Sequence, residues 1–186
     1  MESVINRNNH IYSDILEIDD NKRYEIIDGE IYCMAAPSMI HQRLLMNISN
    51  KIYNYLEGKN CEVFVAPFDV FLDEKESSSK NVVEPDISVI CDKNKITKKG
   101  CNGPPDLIVE IVSPNNKSYD YITKLNLYSI FKVREYLIVN PEKKTIMKYE
   151  LKEVGFEDPT IYTFDDKVKI SVLDGLELDL SGISLE

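Results

Sequence analysis

The sequence predicts one α+β domain built around a mixed β-sheet, and three features of its apolar pattern carry that prediction. Asp106–Ser113 is apolar almost throughout, which is typical of a strand buried on both faces. Apolar residues recur every four positions over Ile40–Leu56, as in an amphipathic helix. A second helix is predicted at about Tyr119–Phe131, between strand-like segments. The 186 residues suffice for one domain with its own core.

The N-terminal part is expected to contain an arm and a β-hairpin. Residues 1–22 are polar and lack periodicity, so we expect a flexible or loosely packed arm, followed by a single domain over residues 23–186. Strand-like Tyr24–Ile27 and Ile31–Ala35 flank Asp28-Gly29. An Asp-Gly pair between two such runs predicts a tight hairpin.

The boundaries of the helices and strands after the hairpin are predicted from helix-capping residues and from proline and glycine. Ser38 is the predicted N-cap of the first helix, which should end near Gly58. Pro85 interrupts a long strand-like stretch, whose regular part should begin at Asp86. Lys75–Asn81 is a predicted polar loop and Asp92–Gly103 a predicted basic one, and the chain ends in an acidic tail. The other predicted strands are Cys61–Ala66, Asp69–Leu72, Val82–Cys91, Glu135–Val139, Lys144–Tyr149, Thr160–Thr163 and Lys167–Val172.

The net charge and the hydropathy of the chain disfavour non-specific nucleic-acid binding and a membrane protein. The net charge is −10, of which −7 belongs to Glu150–Glu186. Phosphate contacts need Lys and Arg, so such a chain is a poor non-specific binder of nucleic acid. No apolar run approaches the roughly 20 residues that cross a bilayer, and the first residues lack the apolar stretch of a signal peptide. A cytoplasmic protein without membrane contact is therefore expected.

The cysteines do not favour a structural zinc site. The four cysteines form no CxxC pair, and the chain has only two His. Cys33, Cys61 and Cys91 lie in or beside apolar strand-like segments. We therefore expect small buried thiols in a reducing compartment.

Glu110 is the most informative single residue. Its neighbours in Leu107–Val112 are all aliphatic. A carboxylate in such a place must be paired, hydrogen-bonded or metal-bound, because an isolated buried charge is very costly. A reactive carboxylate, a structural ion pair and a position in an edge strand all remain open for it.

Two Pro-Asp pairs offer further carboxylates. Asp106 shares the strand of Glu110 but lies four residues away, roughly 13 Å at about 3.3 Å per residue, too far to share one metal ion. Asp86 opens a different strand, so strand pairing could bring it within about 6 Å of Glu110, a span that one cation bridges. Taken alone, a Pro-Asp pair often only starts a strand.

The second helix presents an acid, a base and a phenol on one face. Asp120, Lys124 and Tyr128 are spaced i, i+4 and i+8, which drifts only about 80° around an α-helix. The loop before this helix is short, so Lys124 could reach Glu110. A surface Asp–Lys pair beside a core tyrosine is the alternative.

In this order the residues resemble the PD-(D/E)xK nuclease superfamily, and more closely its branch of bacterial proteins described as restriction endonucleases. The superfamily pattern places Lys two residues after the Glu, where this chain has Val112. In the branch that the sequence resembles, the following helix supplies the Lys, which matches Lys124. The resemblance covers nearly the whole chain and rests on YEIIDGE at 24–30, PSMIH at 37–41, VEPD at 83–86, PDLIVEIVSP at 105–114, Asp120, Lys124, Leu127-Tyr128 and EYLIVNP at 135–141.

The resemblance implies a restriction-endonuclease-like core, with a central mixed sheet flanked by helices, and a metal-dependent endonuclease that hydrolyses phosphodiester bonds in DNA. Asp86, Glu110 and the carbonyl of Ile111 would hold Mg²⁺ or Mn²⁺. Lys124 would orient the attacking water or stabilise the transition state. A homodimer is expected by resemblance alone. The auxiliary candidates are Glu25, His41, Asp120 and Tyr128, although Glu25 also suits a plain hairpin position and His41 a structural or surface one.

Nucleic acid is expected to dock on the basic loop between the two carboxylate-bearing strands. Its lysines are Lys93, Lys95, Lys98 and Lys99, with Arg43 and Lys51 of the first helix as further contacts. A merely solvated loop is the alternative.

Two other functions stay open. One is a nuclease-fold module with weak or absent catalysis that binds nucleic acid or assembles with protein, which the net charge of −10 favours. The other is an unrelated α+β enzyme for a small anionic substrate. The absence of a Gly-rich phosphate loop and of a Ser-His-Asp spacing counts against that enzyme.

Overall fold

The computed structural model describes residues 9–18, 20–113 and 119–184, without the side chains of Tyr119 and Asp120. Three α-helices occur in these ranges, α1 Tyr12–Leu16, α2 Met39–Leu56 and α3 Leu125–Ile130. The strands are β1 Tyr24–Ile27, β2 Glu30–Cys33, β3 Glu62–Val65, β4 Val70–Phe71, β5 Val82–Val83, β6 Ile87–Ile90, β7 Cys101–Asn102, β8 Leu107–Ile111, β9 Glu135–Asn140, β10 Thr145–Glu150, β11 Thr160–Thr163, β12 Lys167–Lys169 and β13 Glu177–Asp179.

The central sheet is mixed, and its interior strand β8 carries Glu110. Its six strands run in the order β11-β10-β9-β8-β6-β3. β8 pairs in parallel with β9 and antiparallel with β6. Because β8 has a neighbour on both sides, the alternative of an edge position for Glu110 is wrong. The α+β class and the mixed central sheet expected from the sequence are confirmed.

Each face of the central sheet covers a separate apolar core. On one face, Leu107, Val109 and Ile111 of β8 pack with α2 and with the C-terminal strands. On the other face, Ile108 and Val112 pack with Tyr128 of α3 and with the second sheet. This alternation follows from the period of two along a strand, and it puts Glu110 on the second face.

The second sheet holds the N-terminal hairpin against that face. Its five strands run β2-β1-β5-β4-β7. The predicted hairpin is confirmed: β1 and β2 pair antiparallel, and both Asp28 and Gly29 take positive φ at the turn. The segment Glu84-Pro85-Asp86 crosses from β5 in the second sheet to β6 in the central sheet. The predicted strand Val82–Cys91 is therefore two strands in different sheets, because Pro85 cannot donate a ladder hydrogen bond.

The expectation of an irregular arm is wrong for Tyr12–Leu16. These residues form α1, and Tyr12 is buried against Phe71 with ring centroids 4.8 Å apart. The Tyr12 hydroxyl also donates a hydrogen bond to Asp69. Sequence reasoning missed this helix because five residues are too few to show helical periodicity. Residues 1–8 lie outside the described part of the chain.

The expected single helix from Tyr119 onward is also corrected. Its first part, Tyr119–Lys124, is π-helical, and only Leu125–Ile130 is α-helical. A π-turn closes i→i+5 hydrogen bonds, so the i, i+4 face assumed for Asp120 and Lys124 does not apply. In place of that face, Lys124 lies at the junction of the two helical forms.

Two short strands occupy segments expected to be irregular. β7 lies within the predicted basic loop and pairs with β4, and β13 lies within the predicted acidic tail and pairs with β12. Both strands are very short, which is why the periodicity did not reveal them. The Ser38 cap of α2 is confirmed, since its side chain accepts a hydrogen bond from the His41 N–H at 3.2 Å.

The expectation of separate buried thiols is wrong. Cys61 and Cys91 form a disulfide, because the antiparallel register of β3 and β6 sets them opposite each other just beyond the strand ends. Cys33 is a free thiol but exposed, and Cys101 is free and buried. No helix in the described ranges is both long enough and apolar enough to span a membrane.

Candidate active site

Asp86 lies at the base of a cleft between the two sheets. One of its carboxylate oxygens, Oδ2, accepts a hydrogen bond from the Ile111 N–H at 2.7 Å and lies 2.9 Å from Nε2 of His41. Its own N–H points to Oε2 of Glu110 at 3.4 Å. The strands β6 and β8 are thus neighbours, and the strand crossover at Pro85 sets Asp86 beside Glu110.

Glu110 is buried and fully embedded in polar contacts. Its Oε1 accepts hydrogen bonds from Nζ of Lys124 at 2.7 Å and from the Tyr128 hydroxyl at 2.9 Å. Glu110 is 4% exposed and Lys124 is 3% exposed. Burial raises the pKa of the Tyr128 phenol well above its usual value, and the Glu110 carboxylate adds to the shift. The phenol therefore stays protonated and acts as a donor to Glu110.

Lys124 lies between two carboxylates. Its Nζ is 2.7 Å from Oε1 of Glu110 and 3.0 Å from Oε1 of Glu25. Glu25 comes from β1 of the second sheet and also accepts the Glu84 N–H at 2.9 Å. Three segments that are distant in sequence therefore converge on one ammonium group, which satisfies the requirement that buried charges be paired.

The cleft has a volume of about 310 Å³ and an uneven charge distribution. Its buried acidic lining residues are Glu25 and Glu110, whereas Arg23 is partly exposed. Arg23 pairs with Glu84 at 3.1 Å and keeps about a third of its side chain exposed. Besides Arg23, the charged or titratable side chains that line the cleft are Glu25, Tyr32, Cys33, His41, Asp86, Glu110 and Lys124.

The register of β8 leaves the carbonyl of Ile111 without a strand donor. Val109 lies opposite Ile87, so two steps further along the register Ile111 falls opposite Pro85. Proline has no N–H, and the N–H of Ile111 turns to Asp86. Ile111 lines the cleft, so its carbonyl oxygen is suitably located for a further ligand.

The donor set fits a hard divalent cation in its chemistry. Carboxylate and backbone carbonyl oxygens are what Mg²⁺ prefers, and it is usually held by one or two carboxylates with waters and phosphate completing the shell. Within the described ranges, no group of three or more His, Cys, Asp or Glu side chains is arranged to hold a metal ion. A two-carboxylate site of the kind expected for Asp86 and Glu110 is compatible with that finding.

The auxiliary candidates differ in position. Glu25 and Tyr128 contact Lys124 and Glu110 respectively, and His41 contacts Asp86. Nδ1 of His41 is buried and has no hydrogen-bond partner in the part of the chain that the structure describes. The side chain of Asp120 lies outside the described part.

The basic loop lies away from the floor of the cleft. Asp86 precedes β6 and Asp92 follows it, so the loop begins at the far end of that strand. Lys93 lies 3.2 Å from Glu62, and Nζ of Lys95 donates to the Pro104 carbonyl at 2.8 Å. None of the four lysines lines the cleft that holds Asp86.

Sequence reasoning missed Arg23, which lines the cleft, and its ion-pair partner Glu84. Arg23 lies two positions before Glu25, and Glu84 two positions before Asp86. Residues two apart on an extended chain share a face, so the period of two could have found both residues.

Comparison with known proteins assigns the family. Residues 12–181 match the model of the Uma2 family, whose description is "Putative restriction endonuclease". The chain belongs to the Uma2 family. The resemblance to the PD-(D/E)xK superfamily and its restriction-endonuclease-like branch is thereby confirmed.

Relatives of this Uma2 chain occur in a cyanobacterium. It is 28% identical over 135 residues to "Uncharacterized protein slr1290" of Synechocystis sp. strain PCC 6803, covering 72% of this chain and 69% of the relative. It is 30% identical over 122 residues to "Uncharacterized protein sll1609" of the same organism, covering 64% of this chain and 67% of the relative. Neither relative's name states an activity.

A solved structure shares the fold. The crystal structure of "a putative nuclease belonging to DUF820" from Anabaena variabilis superimposes on this Uma2 chain with a TM-score of 0.74. The match covers 93% of this chain and 96% of the other at 16% identity, so it shows the fold alone. Fold and family together place the chain among nuclease-like proteins of restriction-endonuclease type.

Proposed function

We propose that the protein is a metal-dependent endonuclease that hydrolyses phosphodiester bonds in DNA. The observation that carries the proposal is the convergence of Asp86, Glu110 and Lys124 at the base of one cleft. Two carboxylates from neighbouring strands and a lysine beside them are the groups that such a reaction needs. The Uma2 family and the nuclease-like fold support the same reaction class.

Asp86, Glu110 and the Ile111 carbonyl would hold Mg²⁺ or Mn²⁺. When bound, the ion would activate water and neutralise charge on the phosphate. Among the described residues, Oδ1 of Asp86 has no hydrogen-bond or ion-pair partner. The other oxygen, Oδ2, contacts the Ile111 N–H and Nε2 of His41. Those two contacts fix the orientation of the carboxylate, so that Oδ1 is directed away from them.

Lys124 would act on the phosphate or on the attacking water. Its ammonium carries three donor hydrogens, and the structure shows contacts with Glu110 and Glu25. A donor held in this way costs little reorganisation when negative charge develops on the phosphoryl oxygens. Tyr128 would keep Glu110 oriented through its hydrogen bond.

A catalytically weak or inactive module is the second candidate. The net charge of −10 and the engagement of Glu110 Oε1 by both Lys124 and Tyr128 favour it. In such a module the Lys124–Glu110 pair would be purely structural. DNA as partner, a homodimer and a cytoplasmic location belong to the proposal and rest on the family resemblance and the sequence.

A cleavage assay with a matched pair of variants tests the proposal. The chain has two Pro-Asp pairs at strand starts, and only Asp86 lines the cleft, whereas Asp106 bonds the Cys91 N–H and Arg134. Plasmid and oligonucleotide DNA are incubated with Mg²⁺ or Mn²⁺ and, separately, with EDTA. We expect Asp86→Asn to abolish metal-dependent cleavage and Asp106→Asn to retain it. Cleavage that survives Asp86→Asn, or wild-type protein that never cleaves, would refute the proposal.

A further inference from the structure

A second hollow adjoins the cleft and shares a wall with it. Arg23 lines the cleft, and its partner Glu84, at 3.1 Å, lines the hollow. Of two residues adjacent in sequence, Ala66 lines the cleft and Pro67 lines the hollow. The hollow measures about 370 Å³, similar to the cleft, so each space could take a group of the size of a nucleotide.

A rigid turn carries two lysines to the rim of this hollow. The turn over Thr97–Gly100 is closed by a hydrogen bond from the Thr97 N–H to the Gly100 carbonyl at 2.8 Å, with Lys98 and Lys99 exposed at its tip. Nζ of Lys99 also donates to the Ser77 hydroxyl at 3.2 Å and lies 3.6 Å from Glu76, in an exposed pair that contributes little. Gly100 has φ +149°, and a Cβ there would lie 2.1 Å from the Asp69 carbonyl oxygen. Only glycine allows this approach, which fixes the turn against Asp69.

An aromatic ring forms another part of the hollow. Phe68 lines it and stacks on Phe64, with ring centroids 4.2 Å apart and planes at 10°. Lysines beside an aromatic ring are the groups by which proteins bind single-stranded nucleic acid, through phosphate contacts and base stacking.

The acidic residues of the hollow are engaged by the protein itself. Glu84 pairs with Arg23, and Asp69 accepts a hydrogen bond from the Tyr12 hydroxyl. Burial raises the pKa of both carboxyl groups above their usual values.

Double-helical nucleic acid without an unpaired segment fits the cleft poorly. Glu110 and Lys124 are 4% and 3% exposed at the base of a cleft of about 310 Å³, which is far smaller than a double helix. A duplex-binding surface also needs many cations, and the chain has a net charge of −10. A single flexible strand can bend into the cleft and needs fewer phosphate contacts.

We propose that the substrate is an unpaired polynucleotide strand whose reactive phosphate enters the cleft and whose adjoining nucleotides pass Arg23 into the hollow of Phe68, Lys98 and Lys99. This inference rests on the proposed nuclease function and assigns its substrate class. Single-stranded DNA and RNA both offer phosphates for the lysines and bases that stack on Phe68, so both are tested.

Binding is measured by fluorescence anisotropy in EDTA, where no cleavage occurs. The probes are labelled 15-nucleotide oligo(dT), oligo(rU) of the same length and a 15-base-pair duplex. We expect at least one single strand to bind about tenfold more tightly than the duplex. Lys98→Glu with Lys99→Glu should flatten the dependence of log affinity on log salt by roughly 1.4 units, about 0.7 for each lost contact. Phe68→Leu, which keeps apolar volume, should weaken binding about fivefold or more.

Lys152→Glu is a control charge reversal at a site remote from the hollow. Lys152 follows β10 at the end of the sheet away from Glu110, and its side chain is about half exposed. This variant should bind every probe as the wild type does. Thermal unfolding of Phe68→Leu is measured beside binding, and any comparison uses conditions in which the variant is folded.

The outcomes separate this inference from the proposed function. Equal binding of strand and duplex, or a Lys98/Lys99 double variant that binds like Lys152→Glu, overturns the inference even if the wild type cleaves DNA with metal. Single-strand binding that depends on Phe68, Lys98 and Lys99 supports the inference. If such binding is found but no strand is ever cleaved, the strand-binding groove stands and the nuclease function fails.

Discussion

The ammonium group of Lys124 lies 2.7 Å from Oε1 of Glu110, and both side chains are buried. The same ammonium lies 3.0 Å from Glu25, so it is the shared counter-ion of two carboxylates. Breaking a buried pair by removing one partner costs about 3–5 kcal/mol, because a charge is left uncompensated. Lys124 therefore has a structural role whatever its part in catalysis, and an experiment has to separate the two.

We expect Lys124→Ala to abolish metal-dependent cleavage and also to lower the free energy of unfolding. The activity is lost because the donor beside the phosphate is gone, and stability is lost because Glu110 and Glu25 are stranded. Cleavage rates and urea unfolding are measured on the same preparations. A folded Lys124→Ala protein that cleaves at the wild-type rate would remove Lys124 from the mechanism.

Two further variants separate the roles of Lys124. Adding Glu25→Gln to Lys124→Ala removes one stranded carboxylate, so part of the stability should return while cleavage stays absent. Lys124→Arg keeps the positive charge, but a planar guanidinium does not replace a compact ammonium, so it should recover stability more than activity. If restoring stability alone restores cleavage, the role of Lys124 is structural.

His41 is expected to act by orienting Asp86. Its Nε2 lies 2.9 Å from Oδ2 of Asp86 at the start of α2. Removing a partner that orients a ligating carboxylate typically costs about 10–100-fold in metal affinity or activity. We expect His41→Ala to weaken Mn²⁺ binding within that range and His41→Gln, which keeps a polar group there, to weaken it less. Unchanged Mn²⁺ affinity in both variants would assign His41 to the fold alone.

A polar cluster remote from the cleft should make stability depend on acid pH. The Ser171 hydroxyl and then Lys148 hold the pKa of Glu150 down to about 2, from 4.5. Because the folded-state pKa is depressed, this stabilisation is fully present above about pH 4.5 and is lost as the pH falls toward 2. Glu150→Gln should therefore lower the unfolding temperature at neutral pH, and the difference from wild type should shrink in that window. A difference that is constant from pH 7 to 2.5 would contradict this assignment.

The sequence indicated the residues of the candidate site better than it indicated the path of the chain around them. Glu110 was identifiable because a charge inside an aliphatic run requires a partner, and Asp86 because Pro85 restarts a strand there. The partners themselves come from pairings between distant strands, such as β1 with β5, which brings Glu25 to Lys124. Periodicity within one segment carries no information on such pairings.

Local patterns failed where tertiary contacts override propensity. Tyr12 is buried only because Phe71 and Asp69 receive it, and the five-residue helix around it has too few turns to show a pattern. The π-helical segment Tyr119–Lys124 before α3 likewise has no composition that distinguishes it from α-helix. The Cys61–Cys91 disulfide depends on the register of β3 with β6, which the sequence spacing does not give.

A titration of the protein with Mn²⁺, followed by electron paramagnetic resonance, tests the central claim most directly. If Asp86 and Glu110 are the ligands, the wild type should bind one Mn²⁺ per chain, and both Asp86→Asn and Glu110→Gln should abolish that binding. Lys124→Ala should retain it, because lysine supplies no ligand here. Wild-type protein that binds no Mn²⁺, or Mn²⁺ binding that persists in both carboxylate variants, would contradict the account and favour a nuclease-fold module without catalysis.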